Sequence, residues 1–148
     1  MATFREDPYP DHNFQVSVEG LDGDGPQAGF SEVDGLDVSI EVIEYRNGNE
    51  PAGTVRKLPG LQKYGDIILK RGVTGDLGFW EWIKTAMNGH VQRRSVTIRL
   101  LDEGREEVLA WRLRRAWPCQ YAGPSLRAGT SDVALETLVI CHEGLELE

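Results

Sequence analysis

One stretch of the chain carries helical periodicity, and it is too apolar to stand alone. Within KLPGLQKYGDIILKRGVTGDLGFWEWIKTAM (residues 57–87), Leu77, Trp80, Ile83 and Met87 recur at helical spacing, with Phe79, Trp82 and Ala86 beside them. Asp76 suits the N-cap, because its carboxylate can accept from free amides of the first turn. Gly89 supplies a stop. The pattern predicts a helix over 76–88 with Leu77, Trp80, Ile83 and Met87 as its core face. Such a face must be covered, and the rest of the chain offers only strands to cover it.

Those strands show as alternation. Residues 13–19 set Phe14, Val16 and Val18 against Gln15, Ser17 and Glu19. Residues 30–36 form a short strand broken at Gly35. Residues 37–45 set Val38, Ile40 and Val42 inward, and the pattern then slips at Ile43 and Tyr45, which a β-bulge or a change of packing partner would account for. Residues 46–64 carry Asn47-Gly48, Pro51, Gly53 and Pro59-Gly60 and read as one long loop, a length usually reserved for function. After a short strand at 66–70 and the helix, residues 95–101 and 106–115 make a hairpin. Gly104 is expected to supply the positive φ of its turn. Trp111 points to the core, with Arg112 and Arg114 opposite. Trp117-Pro118 ends that strand, 120–130 is loop, and 132–142 is apolar on both faces and hence central. The first twelve residues read as an extended arm, and the acidic end with Glu143, Glu146 and Glu148 as a solvated tail. Asp22-Gly-Asp-Gly-Pro26 reads as a turn: Pro26 and Val33 stand where a calcium loop would want neither. The expected architecture is mainly β, a single domain over 1–148. It is a β-sandwich or partly closed barrel of about six or seven strands with one flanking helix.

Charge and motifs narrow the function. A net charge of −8 argues against a phosphate-neutralising nucleic-acid surface. No apolar run approaches the ~20 residues that span a bilayer, and the N-terminus lacks a signal-peptide core. Synthesis and folding in the cytoplasm follow, with Cys119 and Cys141 as reduced thiols. There is no nucleophile elbow, phosphate-cradling glycine loop or His-Glu-x-x-His. His12, His90 and His142 are isolated, and Cys141 and His142, adjacent on a strand, face opposite ways. No catalytic, cofactor or metal site is expected.

Several short segments, in order, carry a resemblance. They are FSEVDGL (30–36), VIEYR (42–46), KLPG (57–60), KYG (63–65), LKRG (69–72), WEW (80–82), LLDE (100–103), AWP (116–118), VALE (133–136) and HEGL (142–145). Together they resemble the tube proteins of contractile phage tails and related contractile injection systems, over nearly the whole chain. The chain departs at Ser131-Asp132, where the family often carries Asn-Glu, and in the extra residues 22–27. The resemblance implies a structural subunit and no enzyme. Such subunits form hexameric rings whose strands join into an inter-subunit β-barrel, stacked as a tube inside a sheath that drives it through a target envelope. The implied partners are further copies of the chain, a sheath protein, spike and baseplate proteins, and cargo in the lumen. The implied location is a particle that can be released extracellularly.

On that basis 46–64 becomes an inter-subunit loop contacting through Tyr45, Arg46, Val55, Lys57, Leu58, Pro59, Leu61 and Tyr64. The lumen is expected to be lined by Ser39, Glu41, Thr97, Arg99, Arg112 and Arg114. Two other readings stand beside the main one. A specialised first-ring protein joins the tube to the spike. A monomeric ligand-binding β-sandwich, from a different class, would show a concave aromatic pocket.

Overall fold

In the computed structural model, which describes residues 4–20, 30–51 and 53–148, one strand belongs to two ladders and sets the architecture. The elements in chain order are β1 (Phe14–Val18), β2 (Phe30–Asp34), β3 (Val38–Tyr45), β4 (Arg56–Tyr64) and β5 (Ile67–Gly72). They continue as α1 (Gly78–Met87), β6 (Arg94–Leu101), β7 (Glu107–Ala122), β8 (Leu135–Cys141) and β9 (Gly144–Leu147). The 16 residues of β7 pair with β6 and β9 in their first half and with β8 in their second. The resulting sheet runs β1-β6-β7-β8-β5-β2, with β9 on β7 and every pairing antiparallel. At the join Arg115 adopts φ 53, and the register with β6 slips between Arg94 and Val96. Such irregularities bend a strand, and here they lie where β7 changes partners. Trp117-Pro118 therefore lies inside the strand and does not end it. Pro118 is buried opposite Ile140.

Alternation fills the space between the two wings. Val16, Val96, Ile98 and Leu113 come from one wing, and Ile67, Leu69, Leu138 and Ile140 from the other. The same parity carries two charged residues inward. Arg71 continues the row of Ile67 and Leu69, Glu136 continues that of Leu138 and Ile140, and the two are register partners. Both are buried. Arg71 Nε donates to Glu136 Oε1 at 2.6 Å, Tyr121 Oη donates to Glu136 Oε2 at 2.7 Å, and the guanidinium also reaches the Asp76 carboxylate and carbonyl. Its central carbon lies 3.7 Å from the Phe79 ring centroid. The hydrogen bond to Glu136, then burial, push the Tyr121 hydroxyl above its ordinary range.

The helix turns a different face to the core from the predicted one. Phe79 and Trp82 are buried, whereas Leu77, Trp80 and Met87 are 61%, 41% and 65% exposed and Ile83 is half-buried. Positions 79 and 82 are as well spaced for one face as 77, 80 and 83, and their ring contacts decide between them. Phe79 packs on Phe30 and beneath Arg71, and Trp82 Nε1 donates to Gln92 O at 2.7 Å. The N-cap is Leu77, with no side-chain cap. Asp76 lies one residue outside, where it accepts from the Gly78 amide at 2.9 Å while also pairing with Arg71. Gly89 does stop the helix, with φ +80. Trp82→Phe removes the indole N–H bond to Gln92 O and leaves part of a fully buried ring's space empty, so a loss of about 1–3 kcal/mol is expected. Trp80→Ala should lose clearly less than the 3–5 kcal/mol typical of a buried tryptophan. Urea denaturation of both variants checks the pair, and a larger loss at Trp80 would reverse the assignment of faces.

Other expectations change as well. Residues 46–64 are not one loop, since 56–64 are strand β4. Val38, Ile40 and Val42 do not point inward; all of β3 is exposed. Of the two explanations for the slip, a bulge is present, between Ile40 and Val42. The 102–105 turn places positive φ on Arg105 (φ 62) in place of Gly104, and is closed by Arg105 N to Asp102 O at 2.9 Å. The last long strand starts at Leu135, leaving Val133 and Ala134 outside it. The acidic end is strand β9 with Glu146 opposite Arg112 in register, and Glu148 and Glu143 on either side of it pair with Arg112 and Arg115 of β7. The turn at 22–26 lies outside the described residues.

The N-terminal residues lie against the 102–105 turn through a bidentate Arg5–Glu103 pair at 2.9 and 3.0 Å. The bond to Arg5 holds the Glu103 carboxyl down at about 2, from an ordinary 4.5. A depressed carboxylate favours the attached state above its ordinary pKa. That contribution is lost as pH falls from about 4.5 toward 2, and it is weakened by salt because both partners are at the surface. A carbon-detected NMR titration should show Glu103 returning to the ordinary range in Arg5→Ala. An unchanged titration would exclude the pairing in solution.

Candidate assembly surfaces

Strands β3 and β4 form a second, two-stranded sheet that leaves the body as an arm. It pairs from Val38↔Tyr64 at the root to Tyr45↔Arg56 near the tip, a reach of about 26 Å at ~3.3 Å per residue. None of its residues joins the buried core cluster. The root is narrow for a steric reason. A Cβ on Gly35, whose φ is +95, would lie 2.0 Å from Asp66 O, and one on Gly65 would lie 2.2 Å from Asp37 Oδ1. At Gly35 the two backbones cross at a distance only glycine allows, while at Gly65 it is the Asp37 carboxylate that fills the space. His142 supports the root: its ring nitrogens lie 3.1 Å from the carbonyls of Gly65 and Gly144, and its ring packs on Tyr64.

The arm is apolar without being buried. Val38, Ile40, Val42, Ile43 and Tyr45 on β3, and Val55, Leu58 and Leu61 on or beside β4, are all exposed, Leu61 by 72%. A lone two-stranded ribbon is marginal in water, and a contiguous apolar surface of this kind marks an interaction site. Pro59 is tolerated inside β4 because no third strand needs its missing N–H. Of the residues predicted for inter-subunit contact, Tyr45, Lys57, Leu58, Pro59, Leu61 and Tyr64 lie on the paired strands, and Arg46 and Val55 at the tip. The tip is ordered by its own bonds, Arg46 Nη2 to Glu50 O at 3.0 Å and Arg56 to Glu50 at 3.2 Å.

The residues predicted to line the lumen fall in two places. Thr97, Arg99, Arg112 and Arg114 lie on the outer face of the β1-β6-β7-β9 wing, where register aligns Ser17, Thr97, Arg112 and Glu146. Charges there are paired: Arg99 with Glu107 at 3.6 Å and Arg112 with Glu148 at 3.3 Å. Ser39 and Glu41 are on the arm and do not join this wall. Between the terminal strands β1 and β2 the sheet stays open, leaving a cleft of about 700 Å³ lined in part by Phe14, Phe30, Val33, Leu36 and Trp111. Among the described residues, no group of three or more His, Cys, Asp or Glu is placed to hold a metal ion. No helix among the described residues is long and apolar enough to cross a membrane.

The T4-like virus tail tube protein gp19 family matches residues 10–146. The chain belongs to this family. A chain of the extracellular contractile injection system PVC sheath–tube complex is 30% identical, with a TM-score of 0.83 over 97% of this chain and 93% of that one. One from the PVC sheath/tube terminator is 31% identical, with a TM-score of 0.84 over 97% of this chain and 98% of that one. One from the anti-feeding prophage baseplate is 25% identical, with a TM-score of 0.84 over 97% of each chain. Hcp1 from Flavobacterium johnsoniae, at 14% identity and a TM-score of 0.53 over 90% of this chain and 93% of that one, shares the fold. No curated protein matches the chain. The protein is a structural tube subunit of the contractile injection system type. Within this tube fold the sequence reading missed the Arg71–Glu136–Tyr121 network and strand β9. Parity along β5 was the available signal for the first, and the charge match to the β7 arginines for the second.

Proposed function

We propose that copies of this chain close into hexameric rings that stack as the inner tube of a contractile particle, each arm lying on a neighbouring copy. The arm carries the reading: it is ordered, apolar, and without cover in a single chain. Support for six copies and for sheath and baseplate partners comes from the relatives, which stand in a sheath–tube complex and in a 6-fold symmetrised baseplate. The main tube subunit is the first reading and a first-ring protein the second, with one relative standing in a sheath–tube complex and another in a baseplate. Copy number per particle separates the two. The paired-charge wall of Thr97, Arg99, Arg112 and Arg114 faces the bore in this reading, while Ser39 and Glu41 stay with the arm. Mixed charge offers passing cargo no continuous surface to adhere to.

Negative-stain microscopy and native mass spectrometry of the purified chain are expected to show rings or tubes with six-fold symmetry. In a Cys119→Ser, Cys141→Ser background, a single cysteine at Thr97 should react in tubes with a small thiol reagent and be shielded from a bulky one. Monomer alone at high concentration and in particle-derived material would overturn the assembly. Equal labelling by the bulky reagent would turn the wall outward.

A further inference from the structure

Cys119 and Cys141 are the chain's two cysteines, and the fold brings both to one place. Register opposes Trp117 to Cys141 and Pro118 to Ile140, then slips so that Gln120 opposes Val139. Cys119 is therefore the extra residue of a bulge. Pro118 and Ile140 point into the core, so the two thiols project from the opposite, outer face on neighbouring strands. Each reaches across the ladder: Cys119 Sγ lies 3.5 Å from Val139 O and Cys141 Sγ 3.7 Å from Trp117 O. The two thiols are near enough to influence each other's titration, and both are free. Cys119 is exposed and Cys141 half-exposed, so a small oxidant can reach the pair. The ladder is weak at this point, because Pro118 has no N–H to give and the bulged residue is unpaired.

We infer that Cys119 and Cys141 are an oxidisable pair that closes an intrasubunit disulfide across the β7–β8 bulge when a small disulfide such as oxidised glutathione supplies the oxidant. The Cys119 thiolate, the more exposed, attacks one glutathione sulfur and expels a glutathione thiolate. The Cys141 thiolate then attacks the Cys119 sulfur of the mixed disulfide and expels the second. Two thiol protons go to solvent, two electrons go to glutathione, and one S–S bond replaces another. A disulfide asks for Cβ atoms about 4 Å apart, and a bulge gives the backbone room to adjust. The bridge would close residues 119–141, the end of β7, the connection and β8, into a covalent loop and restrict the unfolded chain. Burial, then the neighbouring sulfur and Asp66, push the Cys141 thiol up to about 11, and burial with Asp66 raises Cys119 as well. Thiolate is thus scarce at neutral pH and closure is slow, accelerating about tenfold per pH unit between 7 and 8.

The test uses the full chain, folded, incubated with oxidised glutathione, and does not depend on whether it assembles. Intact mass should fall by two hydrogen atoms, a non-reduced digest should contain the Cys119–Cys141 peptide pair, and the denaturation midpoint should rise. Cys119→Ser and Cys141→Ser should each remove the rise while leaving the reduced midpoint and the circular dichroism spectrum near those of the parent chain. If either variant misfolds, the mass and digest of the parent chain still decide. Two thiols that remain open to alkylation after prolonged exposure would overturn the inference. So would arrest at a stable mixed disulfide, or linkage between copies.

Discussion

Glu136→Ala is expected to destabilise the folded chain by about 3–5 kcal/mol, because it leaves the Arg71 guanidinium buried and unpaired. Arg71 and Glu136 are each only 6% exposed at the side chain, and their contact at 2.6 Å sits directly across the β5–β8 ladder. The guanidinium has further acceptors in Asp76, but that carboxylate is 38% exposed and stands at 3.3 Å, so it is a weaker substitute. Tyr121→Phe removes one hydrogen bond to the same carboxylate and should cost about 1.5–3 kcal/mol, the range for bonds to charged groups. The double replacement Arg71→Met with Glu136→Leu discriminates the mechanism. A well-packed apolar pair can match a buried ion pair, so the double variant should recover most of what either single one loses. Urea denaturation with a common slope gives the cycle. A loss below about 1 kcal/mol for Glu136→Ala would mean that water reaches the pair.

The network joins β5, β7, β8 and the start of α1, so it holds the two wings and the helix in one arrangement. Little of it was legible in the sequence. In Ile67-Ile-Leu-Lys-Arg71 the parity that sends Ile67 and Leu69 inward also sends Arg71 inward, but a charge at the end of a strand reads as solvated until its partner strand is known. Strand existence was legible where alternation was clean, as in β1, β6 and the first half of β7. It failed where a strand is exposed on both faces. Arg-Lys-Leu-Pro-Gly-Leu-Gln-Lys-Tyr in β4 has the proline and glycine of a loop, and only an edge with no further neighbour can keep them. The same cause hid the orientation of β3: its period fits a half-buried strand, yet inside one chain nothing lies against its apolar side. On the helix, two faces were equally apolar, and the choice rested on Phe30 and Arg71, which are distant in sequence. For the candidate assembly surface, residue identity was therefore legible while its conformation was not.

That difference yields the larger functional prediction. Ile43 and Leu58 are register partners on the arm and are about half exposed in one chain, at 48% and 45%. Replacing both with Asp should move the denaturation midpoint of the isolated chain little, since surface substitutions away from caps and cores stay near ±0.5 kcal/mol. In the assembly proposed above, with each arm on a neighbouring copy, the same side chains would lose their remaining exposure. Each well-covered aliphatic contributes about 1.5–3 kcal/mol when fully buried, and a carboxylate forced into that contact adds a desolvation penalty. Even half of this at two positions in every subunit raises the concentration needed for assembly by at least about tenfold, and the repetition around a ring multiplies it. The expected result is a folded chain that forms no tubes at concentrations where the parent does. Sedimentation velocity and microscopy on the same samples read both halves of the expectation. Normal tubes from the double variant would remove the arm from the interface, whereas an unfolded chain would show that the arm is held by the body after all. Placing the same pair of aspartates at Leu126 and Val133, which are exposed but outside the arm, gives the matching control: a comparable loss of assembly there would mean that added charge, and not the arm, is what the rings reject.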